Sequence, residues 1–234
     1  MNAALVERRA SFEHRFFLSS CIAVLAIVFV GFARTYFLKV LFDAPVLTPL
    51  VHLHGALMSA WFVLFLVQAY LVASHRVRWH RRLGVFGAIL ALAIVVIGPI
   101  VLVSATAREI SAPDGDPFFY VIFGVDFVIL LDFAILVGTA IALRGQSDVH
   151  KRLMLLATAS IVLPALGRLP LGPVATWLLF YACVLVPVAV DTLRHRRLHP
   201  AFGWGAPLLL ASQQLTYFAT KTGLWMHFVK RLLT

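Results

Sequence analysis

The chain has 234 residues, 62% of them hydrophobic and only 13% charged, with a formal net charge of +10. A soluble domain of this size carries about 25% charged residues, so this composition excludes an ordinary soluble protein and implies an integral membrane protein with a mean hydropathy of +0.94. The basic excess argues for membrane topology and anionic lipid rather than nucleic acid, because Lys and Arg cluster between apolar runs.

A helix needs about 20 apolar residues to cross a bilayer. Seven runs reach that length, at roughly 16–34, 50–74, 83–105, 118–143, 153–171, 174–193 and 203–222. The first is too long for a cleaved signal and has no A-x-A-like site. The fifth is interrupted by Pro164, Arg168 and Pro170. Basic residues alternate between connections. Arg8, Arg9 and Arg15 precede the first run. Arg76, Arg78, Arg81 and Arg82 follow the second, Arg144, Lys151 and Arg152 the fourth, and Arg194, Arg196 and Arg197 the sixth. The intervening connections hold Arg34 and Lys39, then Arg108, then Arg168. That pattern predicts a cytoplasmic N-terminus and an all-α bundle in the bacterial inner membrane. Its plan is one helix followed by three hairpins, a single transmembrane domain over residues 1–234. Lys221, Lys230 and Arg231 run against the rule, and the tail "KTGLWMHFVKRLLT" reads as an amphipathic segment on the outer surface. Cys21 and Cys183 fall inside apolar runs and form no disulfide framework or CxxC motif.

Three stretches repeat a theme: "VRWHRRLGVFG", "VHKRLMLL" and "RHRRLHPAFGWG" each set a histidine among basic residues before an apolar run. These are His80, His150 and His199, all in predicted cytoplasmic loops. An offset of 70 residues overlays His80 on His150, although the helices before them barely match. The arginines repel a simple divalent metal unless carboxylates help, and only Asp148 and Asp191 lie nearby; the same arginines suit an anion, either lipid phosphate or the propionates of a haem beside an axial histidine. A zinc hydrolase needs three ligands and an open position, and these loops lack i, i+4 pairing. Gathering about ten like charges is repulsive. The expectation is therefore that the three histidines disperse around the rim as helix-start and interface residues.

Polar residues inside the hydrocarbon are costly and mark candidate sites. His54, Trp61, Phe65 and Gln68 share one face of the second run, while His52 points elsewhere. At about 1.5 Å per residue, His54 lies one turn below the outer boundary and Asp126 two turns. Arg168 lies about a turn from that boundary, and Tyr217 and Lys221 share a face of the seventh run. His54, Asp126, Arg168, Tyr217 and Lys221 are thus the candidate ligand or cofactor site, with Arg168 the best-placed partner for Asp126. The competing reading is that such pairs only tie helices together. Asp132 and Gln213 or Gln214 sit nearer the midplane, where they extend a polar track or bond to neighbouring backbone. Gly138, Gly167 and "ATAS" at 157–160 suit close helix packing.

"HLHGALMSAWFVLFLVQAYLV" running into "HRRLG", with "HKRLMLLAT" further on, resembles a group of uncharacterised bacterial multi-pass membrane proteins over residues 50–220. That group transfers no function. A more distant likeness relates the H…Q…HRxLG helix pair to b-type cytochromes of the ascorbate-dependent kind, in which histidines on neighbouring helices hold haem. It implies haem b as a cofactor. Three functions follow for comparison. One is a non-enzymatic binding, sensing or structural membrane protein, with a small-molecule site in its outer half and membrane lipid as its partner. The second is a haem-binding electron carrier. The third is a metal-dependent enzyme using His54 and Asp126. Lys221 sits too near the membrane edge for a retinal site, and no nucleotide loop, supported Ser-His-Asp arrangement or broken-helix repeat is present.

Overall fold

The computed structural model describes residues 3–42 and 46–233, with side chains from Arg15 onward. The helices are α1 (Ala3–Phe32), α2 (Pro49–Ala73), α3 (Val77–Ile110), α4 (Phe118–Ala142), α5 (Ser147–Ser160), α6 (Leu163–Leu166), α7 (Pro173–His195), α8 (Pro200–Ala219) and α9 (Gly223–Leu233). No strand occurs among the described residues. A chain this apolar satisfies its backbone by helix formation, since hydrocarbon offers no partners. Six helical stretches are long and apolar enough to cross a membrane: Arg15–Phe37, Pro49–Ala73, Val77–Ile110, Phe118–Ala142, Ser147–Leu166 and Pro173–His195. This is the architecture of a multi-pass membrane protein. The seventh expected span, α8, is helical over 20 residues, but Gln213 and Gln214 keep it from the apolarity of the other six.

Local chemistry sets the boundaries. Thr48 caps α2 by accepting from the Val51 N–H at 3.4 Å, and Pro49 opens the helix. His199 caps α8 through Nδ1, which accepts from the Ala201 N–H at 3.2 Å. His75 and Arg196 take left-handed φ values of 58° and 53° where α2 and α7 end. The fifth expected run is divided at Ile161–Val162 into α5 and the one-turn α6, whose first turn holds Pro164.

Short turns join α2 to α3, α4 to α5, and α7 to α8 at one end of the bundle, here the basic end. α5 and α6 lie at the centre, packed by α4, α7, α8 and α1, while α2 lies between α1 and α3. Phe133, Leu136, Leu153, Leu156, Phe180, Phe202 and Leu209 form the buried core. Close approach between membrane helices depends on small residues. Here they are Gly31, where a Cβ would overlap the Ala165 backbone, and Gly205, which lies under Leu156. The "ATAS" residues at 157–160 are all buried, as expected. Gly138 is not a packing glycine, since a Cβ there meets nothing within 4 Å, and at Gly167 the nearest atom stands 3.6 Å away. The amphipathic tail α9 packs on α3 and α4. Val229 is buried with Leu102 and Phe123, and Trp225 Nε1 donates to the Tyr120 carbonyl at 2.8 Å.

Candidate functional site

The five residues expected to converge in the outer half form separate groups. His54 projects from α2, its Nδ1 buried without a hydrogen bond. Asp126 on α4 feels the charge of Arg168. The Arg168 guanidinium itself lies 4.4 Å from the Phe32 ring centroid and donates to the Pro164 carbonyl at 2.7 Å. Lys221 Nζ sits 4.0 Å from the Tyr217 ring centroid, and that ring meets Trp177 at 5.3 Å. Among the described residues no hydrogen bond, ion pair or ring contact joins His54 to Asp126, or either to Tyr217 or Lys221.

The basic end is built differently. Arg152 near the start of α5 grips Asp191 near the end of α7 through two bonds, Nη2 to Oδ1 at 2.6 Å and Nε to Oδ2 at 3.0 Å. Both side chains are 3% exposed. His195 Nδ1 lies 2.9 Å from the Asp191 carbonyl and 3.4 Å from its carboxylate. Arg152 Nη1 also donates to the Asp148 carbonyl at 2.8 Å. A planar guanidinium held on both edges is a rigid clamp between two helices.

Beside the clamp, His80 at the start of α3 meets His150 at the start of α5. Their ring centroids are 6.4 Å apart and their planes stand at 81°. The Nδ1 of His150 is bonded to the Ala140 carbonyl at 2.8 Å, which fixes the ring and leaves Nε2 uncommitted. The His80 ring stands against the Gln68 backbone carbonyl, and its Nδ1 is buried without a partner. The dispersed arrangement expected for the three loop histidines therefore holds only for His199, which caps α8. Repulsion among the basic residues is relieved because Arg152 is neutralised by Asp191, a partner 39 residues away. The 70-residue overlay of His80 on His150 was the available signal of their meeting. The sequence sets Asp191 near the basic residues but does not say that Arg152, 39 residues away, is its partner.

Buried orphan polar atoms follow one helix face toward this pair. His54 Nδ1, Trp61 Nε1 and Gln68 Oε1 lack partners, and they recur every seven residues along α2. An unpaired buried polar group costs about 1–3 kcal/mol, so their alignment is an energetic liability that a bound polar molecule or water would remove. A further cluster joins α4 to α8, where Asp132 Oδ2 accepts from Ser212 Oγ at 2.7 Å and from Gln213 Nε2 at 3.1 Å. Asp132 thus bonds to side chains rather than to backbone.

Among the described residues no three His, Cys, Asp or Glu side chains lie close enough to hold a metal ion. The residues best arranged to hold a cofactor are His80 and His150. The chain matches no family model, no curated protein and no solved structure.

Proposed function

We propose that the chain is a haem-binding electron carrier of the inner membrane, in which His80 and His150 are the residues that would hold the haem. The observation that carries this reading is the close pair of imidazoles, with ring centroids 6.4 Å apart, planes nearly perpendicular and His80 Nδ1 buried without a partner. Two imidazoles that share one metal at about 2 Å each hold their centroids about 6 Å apart. The bond from His150 Nδ1 to the Ala140 carbonyl supports it, since ligating histidines are commonly oriented through their second nitrogen. Gly84 lies one turn above His80 on α3, where a Cβ would meet only Gln68 Nε2, at 3.7 Å. That glycine keeps side-chain bulk off the turn next to His80. Arg81 and Arg82 beside His80, exposed as they are, suit carboxylates such as haem propionates. Haem held there would supply one-electron redox chemistry at the basic end of the bundle.

The same reading includes seven crossings with the N-terminus in the cytoplasm, supported by the basic residues gathered at the end where the short turns lie. Cysteines introduced at the three basic turns should react with impermeant reagents only after the cells are opened. Labelling from outside would overturn the orientation.

A visible spectrum of purified protein, with and without reductant, tests the cofactor. We expect a haem spectrum that His80→Ala and His150→Ala each abolish or convert to a singly ligated form, while His199→Ala leaves it unchanged. Gel filtration of each variant separates ligand loss from misfolding. The reading fails if protein made with excess haem precursor is colourless, or if the double variant keeps its colour.

A further inference from the structure

The most completely buried polar cluster outside the histidine pair is the one between α4 and α8. Asp132 and Gln213 are each 1% exposed. The Oδ2 of Asp132 accepts two hydrogen bonds, from Ser212 Oγ and Gln213 Nε2. Among the described residues no ion pair reaches this carboxyl, and its hydrogen bonds come from Ser212 and Gln213. The nearest buried cation along α5, Arg152, is committed to Asp191. An ionised carboxylate in the apolar interior with no cation opposite it carries a heavy desolvation cost. A second fact points the same way. Gln213 Oε1 is buried and has no donor, although the other edge of the same amide is bonded to Asp132.

A carboxylic acid and an amide form a ring of two hydrogen bonds, in which the amide N–H donates to one acid oxygen and the acid O–H donates to the amide oxygen. Half of that ring is present here as the bond from Gln213 Nε2 to Asp132 Oδ2. The missing half needs one proton on Oδ1, and that proton would satisfy the orphaned Oε1. Turning the amide over does not remove the need, because its oxygen would then face Oδ2 and again require an acid proton between them. We propose that Asp132, with Ser212 and Gln213, forms a proton-binding site in the core of the bundle and holds the acid in its neutral form. The ligand is a proton, and the site has the chemistry of a membrane relay position, where a carboxyl can take up and release a proton without a fixed counter-charge. The assignment is independent of the histidine pair.

Infrared difference spectroscopy of the protein in lipid vesicles tests it. Exposed carboxyl groups ionise near pH 4, so at about pH 7 a protonated-carboxyl stretch reports only a protected acid. We expect such a band, shifted by deuterium oxide, to be lost in Asp132→Asn and kept in Asp126→Asn. Asp132→Asn suits the test because its amide can make both bonds to Gln213 and should preserve the fold. A Gln213→Leu variant should move the band by removing the bonded oxygen. The proposal is overturned if the Asp132→Asn spectrum matches that of the unaltered protein in this region, or if the band disappears with Asp126→Asn instead. The unaltered protein gives a second readout, since a membrane-permeant carbodiimide attacks neutral acids. Modification mapped by mass spectrometry should favour Asp132 over the exposed Asp116, and equal modification of the two would equally defeat the proposal.

Discussion

At the basic end, Arg152 and Asp191 are bound edge to edge with both side chains 3% exposed. At the opposite end, Arg168 and Asp126 act on each other only through space, and Arg168 is exposed and covers the Phe32 ring. The difference follows from how the helices meet. The turns joining α4 to α5 and α7 to α8 both lie at the basic end, where α5 packs on α7 and α8, so Arg152 and Asp191 enter the interior and must satisfy each other. At the other end Arg168 lies in the connection between α6 and α7, where a long side chain can lay its stem on an apolar surface and keep its charge outward. Two pairs of equal formal charge therefore play unequal parts in stability.

The sharpest break of that contrast is Asp191→Asn, which leaves the buried guanidinium without its counter-charge. Removing one member of a buried pair costs about 3–5 kcal/mol, so its unfolding midpoint in detergent should fall well below that of the parent protein. Replacing both partners together, Arg152→Met with Asp191→Leu, should recover most of the loss, because the uncompensated charge is gone. A single variant as stable as the parent would show that the clamp contributes nothing.

Helix packing supplies the next step down. Gly31→Ala forces a methyl group into the Ala165 backbone, a contact that rigid main chain cannot relieve. Overpacking of this kind costs about 1–3 kcal/mol. Gly138→Ala meets nothing within 4 Å and should leave the midpoint unchanged or slightly raised. Equal losses from the two substitutions would contradict the close approach of α1 to α6.

The exposed cations at the opposite end rank lower. Arg168→Gln and Lys221→Gln each remove one cation from an aromatic face, worth about 0.5–1 kcal/mol at exposed sites. Asp126→Asn, with no direct bond to lose, should fall in the same range. A loss of several kcal/mol from Asp126→Asn would place a tight ion pair at this end and erase the contrast with Arg152.

Much of the fold was legible because apolar length and helix-breaking prolines act locally. The expected runs coincide with helices, and Pro164 marks the place where α5 gives way to α6. The shared face of His54, Trp61 and Gln68 was legible for the same reason, since seven-residue spacing on a helix needs no tertiary information. The site was less legible. Like-charge repulsion predicts histidines spread around a charged rim, but Arg152 is neutralised by Asp191, and pairing over 39 residues leaves no periodic trace. Gly138 and Gly167 show the same limit, because glycine spacing alone does not say which helix arrives opposite. The five-residue group failed to form one cluster because depth along a span fixes only one of three coordinates.

His199 offers the smallest effect and the finest test of the two ends, because it is the one of the three histidines whose ring caps its helix. Its Nδ1 accepts the Ala201 N–H, which requires a neutral ring. Burial, and then the charge of Arg152, hold its pKa below the ordinary histidine value, against the opposing pull of Asp191 and Asp148. The sign follows from that depression. The cap is fully present above the unfolded-state value of about 6.5 and is lost as pH falls through the lower folded value. Because the ring is partly exposed, screening keeps the contribution small, and loss of a side-chain cap costs about 0.5 kcal/mol at the low end. His199→Ala should therefore be slightly less stable than the parent at neutral pH and indistinguishable from it in acid. His199→Asn, whose side-chain oxygen caps without titrating, should keep the advantage at both pH values. A difference between the parent and His199→Ala that does not change with pH would show that His199 acts through packing or lipid contact rather than through its ring nitrogen.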